Sequence, residues 1–192
     1  MLHLVTGGSG SGKSEYGENW LTQKNDGETK TGLREGSFLY IATMEPFGEE
    51  AKKRIQRHRK MRAFKGFYTV ECYRNLKQLN ISCKETKNYA GVLLECMSNL
   101  VANELYLPDG TMREEESVIK AVLMGVENLK QQTDTFVIVT NEVTADGLQY
   151  SPETKNYQQV LGRINQALAG QADLVTEVVY GIPIRLKERI DE

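Results

Sequence analysis

Eight residues near the start of the chain, Gly7, Gly8, Ser9, Gly10, Ser11, Gly12, Lys13 and Ser14, read G-x-x-x-x-G-K-S. They constrain the fold more than any other stretch. A short apolar run containing Leu2, Leu4 and Val5 precedes them, and Lys13–Thr22, poor in breakers, follows. Strand, glycine-rich turn and helix, in that order, form the setting in which this pattern cradles a phosphate. Gly7, Gly8, Gly10 and Gly12 let the backbone curl with its N–H groups pointing inward, and a helix N-terminus attracts the anion. In that frame Lys13 reaches the β- and γ-phosphates of a nucleotide, and Ser14 holds Mg²⁺. The alternative is a chance glycine-rich turn. The completeness of the motif and its strand–helix setting weigh against it.

Short apolar runs recur along the chain at FLYIA (38–42), FYTVE (67–71), GVLLE (91–95) and TFVIVT (135–140), and a final pair flanks Gly181. Between them lie helical stretches over 49–62, 114–131 and 156–169. In 114–131, Val118, Ala121, Val122, Gly125, Val126 and Leu129 follow the 3.6-residue period. Residues 23–37 read as a loop. Strands alternating with helices predict an α/β fold with a parallel sheet and helices on both faces. The phosphate site then lies at the carboxyl ends of the strands. A chain of 192 residues, 40% hydrophobic, suits one such domain spanning 1–192. A net charge of −2 gives no global basic excess for nucleic acid. With no run of 18 apolar residues and no charged-then-apolar leader, the reading is a soluble cytoplasmic protein without a membrane span. Cys72, Cys83 and Cys96, without C-x-x-C spacing, read as reduced thiols rather than a disulfide frame or zinc site.

Glu95 closes the apolar run GVLLE. An acid at such a strand end commonly lies beside a phosphate loop and orients Mg²⁺; a solvent-facing carboxylate is the alternative. Ser98 and Asn103 fall on a helix expected just after it. The stretch 52–62 is more unusual. It holds Lys52, Lys53, Arg54, Arg57, Arg59, Lys60 and Arg62, with His58 among them. On a helix, Ala51, Ile55, His58 and Arg62 share one face, so the apolar pair would anchor it and turn His58 and Arg62 toward the site. Three readings stand: a solvated charged face, an RNA-docking helix, or a histidine that attacks phosphorus beside guanidinium groups.

Taken together, LVTGGSGSGKS, LYIAT, RIQRHRKMR, YTVEC, VLLEC, VIVTNEV, GRINQALA and VVYGIPI resemble one family over nearly the whole chain and in order. It is the bifunctional adenosylcobinamide kinase/adenosylcobinamide-phosphate guanylyltransferases. The resemblance implies a P-loop NTPase-like α/β fold and a homotrimer. It implies ATP and GTP as substrates with Mg²⁺, and adenosylcobinamide and its phosphate as partners. It places Gly7–Ser14 around the GTP phosphates, Ala42, Thr43 and Met44 and then Arg59, Lys60, Met61 and Arg62 against the nucleotide, and His58 as the residue that carries GMP. Glu71 and Glu95 fall on acidic positions that contact nucleotide or metal, the metal being held by Ser14 and Glu95. Catalysis would fall to Lys13 for phosphorylation and His58 for guanylyl transfer. The chain departs from the family pattern at Met44, at Gln158 and Gln159, and at Thr144–Gly147. A plain P-loop small-molecule kinase, or a nucleotide-gated RNA-binding ATPase, are the other readings.

Overall fold

The computed structural model describes residues 1–25, 37–81, 89–142 and 150–189. Its elements run β1 (Leu2–Thr6), α1 (Lys13–Asn25), β2 (Phe38–Ala42), α2 (Gly48–Arg62), β3 (Phe67–Glu71), β4 (Gly91–Glu95), α3 (Met97–Leu105), α4 (Glu115–Lys130), β5 (Phe136–Val139), α5 (Pro152–Gln171), β6 (Leu174–Val179) and β7 (Ile182–Glu188). One 3-10 turn covers Leu76–Gln78. The seven described strands form one sheet in the order β3-β2-β4-β5-β1-β6-β7. The first six run parallel and β7 pairs antiparallel with β6.

Alternation along the parallel strands sorts the core into two layers. Leu2, Leu4, Leu39, Ile41, Leu94 and Ile138 face α3, α4 and α5. Val5, Phe38, Tyr40, Leu93, Val137 and Val139 face α1. Strands apolar on both sides are the mark of a sheet covered on both faces. The expected parallel sheet with helices on both faces is therefore what the chain adopts. Gly17 lets α1 lie close, since a Cβ there would stand 3.3 Å from Val139.

Helix boundaries differ modestly from the sequence expectation, each for a local reason. Glu114 is the cap of α4 rather than its first residue, its carboxylate accepting from the Glu116 and Ser117 amides. α5 starts at Pro152, four residues earlier than expected. The Ser151 side chain caps it by accepting from the Thr154 amide, and proline fits the first helical turn because its missing N–H has no partner there anyway. α1 runs on through Asn25 into the stretch expected as loop; residues 26–36 of that loop lie outside the described residues. Cys83 and the departing stretch Thr144–Gly147 lie outside them too.

Candidate active site

The turn between β1 and α1 has the backbone its glycines foretold. Gly12 sits at φ +92°, a value that favours glycine. At Gly7 a Cβ would meet the Val178 carbonyl oxygen at 2.5 Å, so only glycine fits. The loop is braced from behind: the Gly181 amide donates to Ser11 O at 2.8 Å, and Glu142 N to Gly7 O at 3.2 Å. Lys13 is buried, and its Nζ donates to Gly8 O at 2.9 Å, so the ammonium lies across the loop.

Parallel register brings the tip of β4 to the same point. The Ser14 hydroxyl donates to Glu95 Oε1. Burial pushes the Glu95 carboxyl above its usual range, opposed by the Ser14 and Tyr40 hydroxyls and by the charges of Arg62 and Lys13. Burial likewise raises Glu18, against the pull of Lys65.

α2 lies on the α1 side of the sheet. Ala51, Ile55 and His58 are half-buried and Arg62 is buried, so the expected face does turn inward. His58 Nδ1 stands 3.7 Å from Glu95 Oε1. The Arg62 guanidinium lies over the Tyr40 ring, 3.4 Å from its centroid. A cation so placed and desolvated gains about 2 kcal/mol.

A cleft of about 270 Å³ runs along the loop from Ser9 to Glu15 and is closed on the far side by Met44, Arg57, His58 and Glu95. Next to it, Tyr40, Ala42, Ile55, Arg59, Arg62 and Glu71 line a second recess that shares Met44, His58 and Glu95 with the first. Arg59 pairs with Glu71 at 3.0 Å. Not every candidate comes to the cleft. Thr43 is fully buried, its hydroxyl donating to Cys96 O. Lys60 faces an outer groove with Lys53 and Gln56. Met61 lies in α2, and its side chain is outside the described residues. His3, the other histidine, is fully buried in β1 against Trp20, and burial lowers its pKa to about 3.

Several lining groups carry no sequence signal of their own. Asn141, at the end of β5, lines the cleft and donates to Ser98 Oγ at 2.7 Å. Asn99 lines both recesses. Fully buried Glu18 pairs with half-buried Lys65, 2.9 Å away. The FVIVTNE run could have flagged Asn141, as a polar residue following an apolar strand. Chemically, the arrangement offers an anion cradle, a lysine, a hydroxyl–carboxylate pair suited to a hard cation, and an imidazole in one cleft.

Comparison with known proteins points the same way. A profile described as cobinamide kinase / cobinamide phosphate guanyltransferase matches residues 3–186. The chain is 32% identical over 198 residues to the bifunctional adenosylcobalamin biosynthesis protein CobU of Salmonella typhimurium, covering 97% of this chain and 100% of that one. It is 31% identical over 195 residues to the protein of the same description from Escherichia coli, with 97% and 100% covered. The bifunctional adenosylcobalamin biosynthesis protein CobP of Pseudomonas aeruginosa is 27% identical over 187 residues, with 97% and 98% covered. Among solved structures, an ATPase domain superposes with a TM-score of 0.51 at 8% identity, over 100% of this chain and 78% of that one. That likeness speaks to the fold alone.

Proposed function

The chain belongs to the cobinamide kinase / cobinamide phosphate guanyltransferase family, and from that premise we propose that one cleft serves both half-reactions with the residues just described. It is a bifunctional enzyme of adenosylcobalamin synthesis. In the first step the hydroxyl of adenosylcobinamide attacks the γ-phosphorus of ATP or GTP. A new O–P bond forms, the bond to the bridging β–γ oxygen breaks, and the nucleoside diphosphate leaves as the hydroxyl proton is lost. The loop amides of Gly7–Ser14 hold the phosphates, and Lys13 neutralises charge that spreads over the transferred group. Ser14 and Glu95 meet beside the loop and suit Mg²⁺, which would add positive charge against the triphosphate.

In the second step a nitrogen of His58 attacks the α-phosphorus of GTP. An N–P bond forms, and pyrophosphate leaves with the electron pair. With Nδ1 toward Glu95, that nitrogen keeps its proton and Nε2 offers its lone pair; the carboxylate then faces the imidazolium that forms. An oxygen of adenosylcobinamide phosphate next attacks the same phosphorus, the P–N bond breaks, and neutral His58 returns. Arg59, Arg62, Glu71, Ala42 and Met44 are assigned to the bound nucleotide. The single observation that carries this reading is that the only exposed-enough histidine of the chain lies beside Glu95 at the rim of the phosphate loop.

Purified protein given Mg²⁺ and α-labelled GTP, then denatured, should retain label that mild acid removes and alkali does not. Protein that phosphorylates adenosylcobinamide yet neither labels nor transfers GMP would be a plain kinase instead. We further assign the chain to the cytoplasm as one domain in a homotrimer. None of the described helices is long and apolar enough to cross a membrane, and Cys72 and Cys96 are free thiols. Light scattering that finds only monomer in an active sample would remove the trimer.

A further inference from the structure

We propose that the ion pair between buried Glu18 and half-buried Lys65 is the positioning device for guanylyl transfer: it ties the end of α2 to the phosphate-loop helix and so sets where His58 stands. The proposal rests on the assignment of His58 above. Among the described residues α2 is otherwise held chiefly by Arg62, stacked over Tyr40. Among its described side chains only Arg62 is buried, and its apolar grip is limited to half-buried Ala51 and Ile55. The Arg59–Glu71 pair is exposed on both partners, and such pairs fix little.

Three residues past the end of α2, Lys65 donates to Glu18 Oε2 and to Asn19 Oδ1, 2.9 Å each. Glu18 is 0% exposed. A carboxylate at that depth is penalised when left unpaired, so the bond from Lys65, itself a quarter exposed, adds little net stability but specifies one geometry. The geometry specified here is functional in its placement. Glu18 follows Ser14 by four residues, so both stand on one face of α1. One partner of that face meets Glu95 at the loop, and the other meets Lys65. Ligand-capable atoms of Glu18, His58 and Glu95 lie within 4.8 Å of one another, so the tie sits directly beside the imidazole it would place.

The turn between Arg62 and Lys65 supports this independently. Phe64 holds φ +72° with its side chain wholly exposed. A left-handed phenylalanine is strained, and with an exposed ring it has no burial to offset that. A turn so strained persists where its surroundings over-determine it; the Lys65 side chain bonds it to α1, beside the Phe38 amide that donates to Gly66 O at 3.0 Å.

The test compares the two half-reactions in the full chain. In Lys65→Met, single-turnover labelling by α-labelled GTP at saturation should fall about 10- to 100-fold, the scale of a small misplacement of a reacting group. Half-saturation in GTP should stay put, and phosphorylation of adenosylcobinamide should stay within about twofold. Lys65→Arg should recover much of the labelling, and Phe64→Gly, which keeps the lysine, should label at least as fast as wild type. Glu18→Gln keeps an acceptor for Lys65 and serves if Lys65→Met does not fold; it should show a smaller loss confined to labelling. Undiminished labelling in Lys65→Met, or an equal loss in both half-reactions in either variant, overturns the proposal. A wild type that transfers GMP without ever labelling overturns the His58 assignment instead, and is recognised before any variant is made.

Discussion

Nδ1 of His58 lies 3.7 Å from Oε1 of Glu95, the same oxygen that accepts the Ser14 hydroxyl. In the proposed mechanism one carboxylate therefore serves both steps, with Ser14 on the kinase side and the imidazole on the transfer side. Glu95→Gln should lower phosphorylation and guanylylation alike, each by about 10²-fold, as for loss of a group that orients a catalytic partner. Parallel assays of the two activities check this, and a loss in one alone would break the sharing.

The pH dependence follows from the same residue. Burial raises the Glu95 carboxyl above the usual value of 4.5. In the proposed mechanism the working form is the carboxylate, so both activities should fall as pH drops, and the fall should begin above the range of a free glutamate. The acid limb of kcat against pH measures it; a limb at or below pH 4.5 would contradict the assignment.

Lys13→Ala should abolish kinase turnover while the far-ultraviolet dichroism stays native. A lost clamp on a transferring phosphoryl group costs roughly 3–4 kcal/mol of transition-state energy, or about 10²–10³ in rate. A folded variant with near-normal phosphorylation would remove Lys13 from the site.

His58→Ala should take up no label from α-labelled GTP and transfer no GMP, yet keep much of its phosphorylation of adenosylcobinamide, since Lys13, Ser14 and Glu95 remain. Residual label would place the nucleophile elsewhere. His3 is a poor candidate, being wholly enclosed and bonded through Nε2 to Thr176 Oγ1 at 2.9 Å.

His3 also makes a stability prediction. Its pKa falls from 6.5 to about 3 on folding, so below pH 6.5 the unfolded chain binds a proton the folded one refuses. Its contribution is intact above pH 6.5 and is lost as pH falls toward 3, at about 1.4 kcal/mol for each pH unit crossed. Glu18 and Glu95, with raised pKa values, act oppositely: their contribution fades as pH rises past 4.5. The difference between wild type and His3→Gln in urea unfolding at pH 7 and pH 4.5 isolates the histidine, whose removal should flatten the acid slope.

The phosphate loop, Glu95 and the inward face of α2 were legible because each is a local pattern: glycine spacing, a charge closing an apolar run, and a 3.6-residue period through Ala51, Ile55, His58 and Arg62. The period of α2 was readable even though seven cations crowd it. Lys60 was placed against the nucleotide by the family resemblance of the stretch after His58, and one step of 100° around the helix from Arg59 carries it to the outer groove. Glu18, Tyr40, Lys65 and Asn141 were not legible. Each is unremarkable in its own segment, and their places beside α1 and the cleft follow from the order β2-β4-β5-β1, which stacks distant strand ends together. α5 began early because a serine cap followed by proline was a stronger start signal than the apolar period that marked its middle.

Trp20 is the chain's one tryptophan, edge-on to His3 at 4.3 Å with Lys24 Nζ 5.2 Å above its ring. It rides on α1, the helix that begins inside the phosphate loop. Its fluorescence is thus an optical gauge of how that helix is seated. A protonated imidazole beside an indole would quench it, but His3 stays neutral down to about pH 3. The baseline emission should therefore be flat across the working range, and a change on adding GTP would report movement of the phosphate-loop end of the protein, without a dye or a tag.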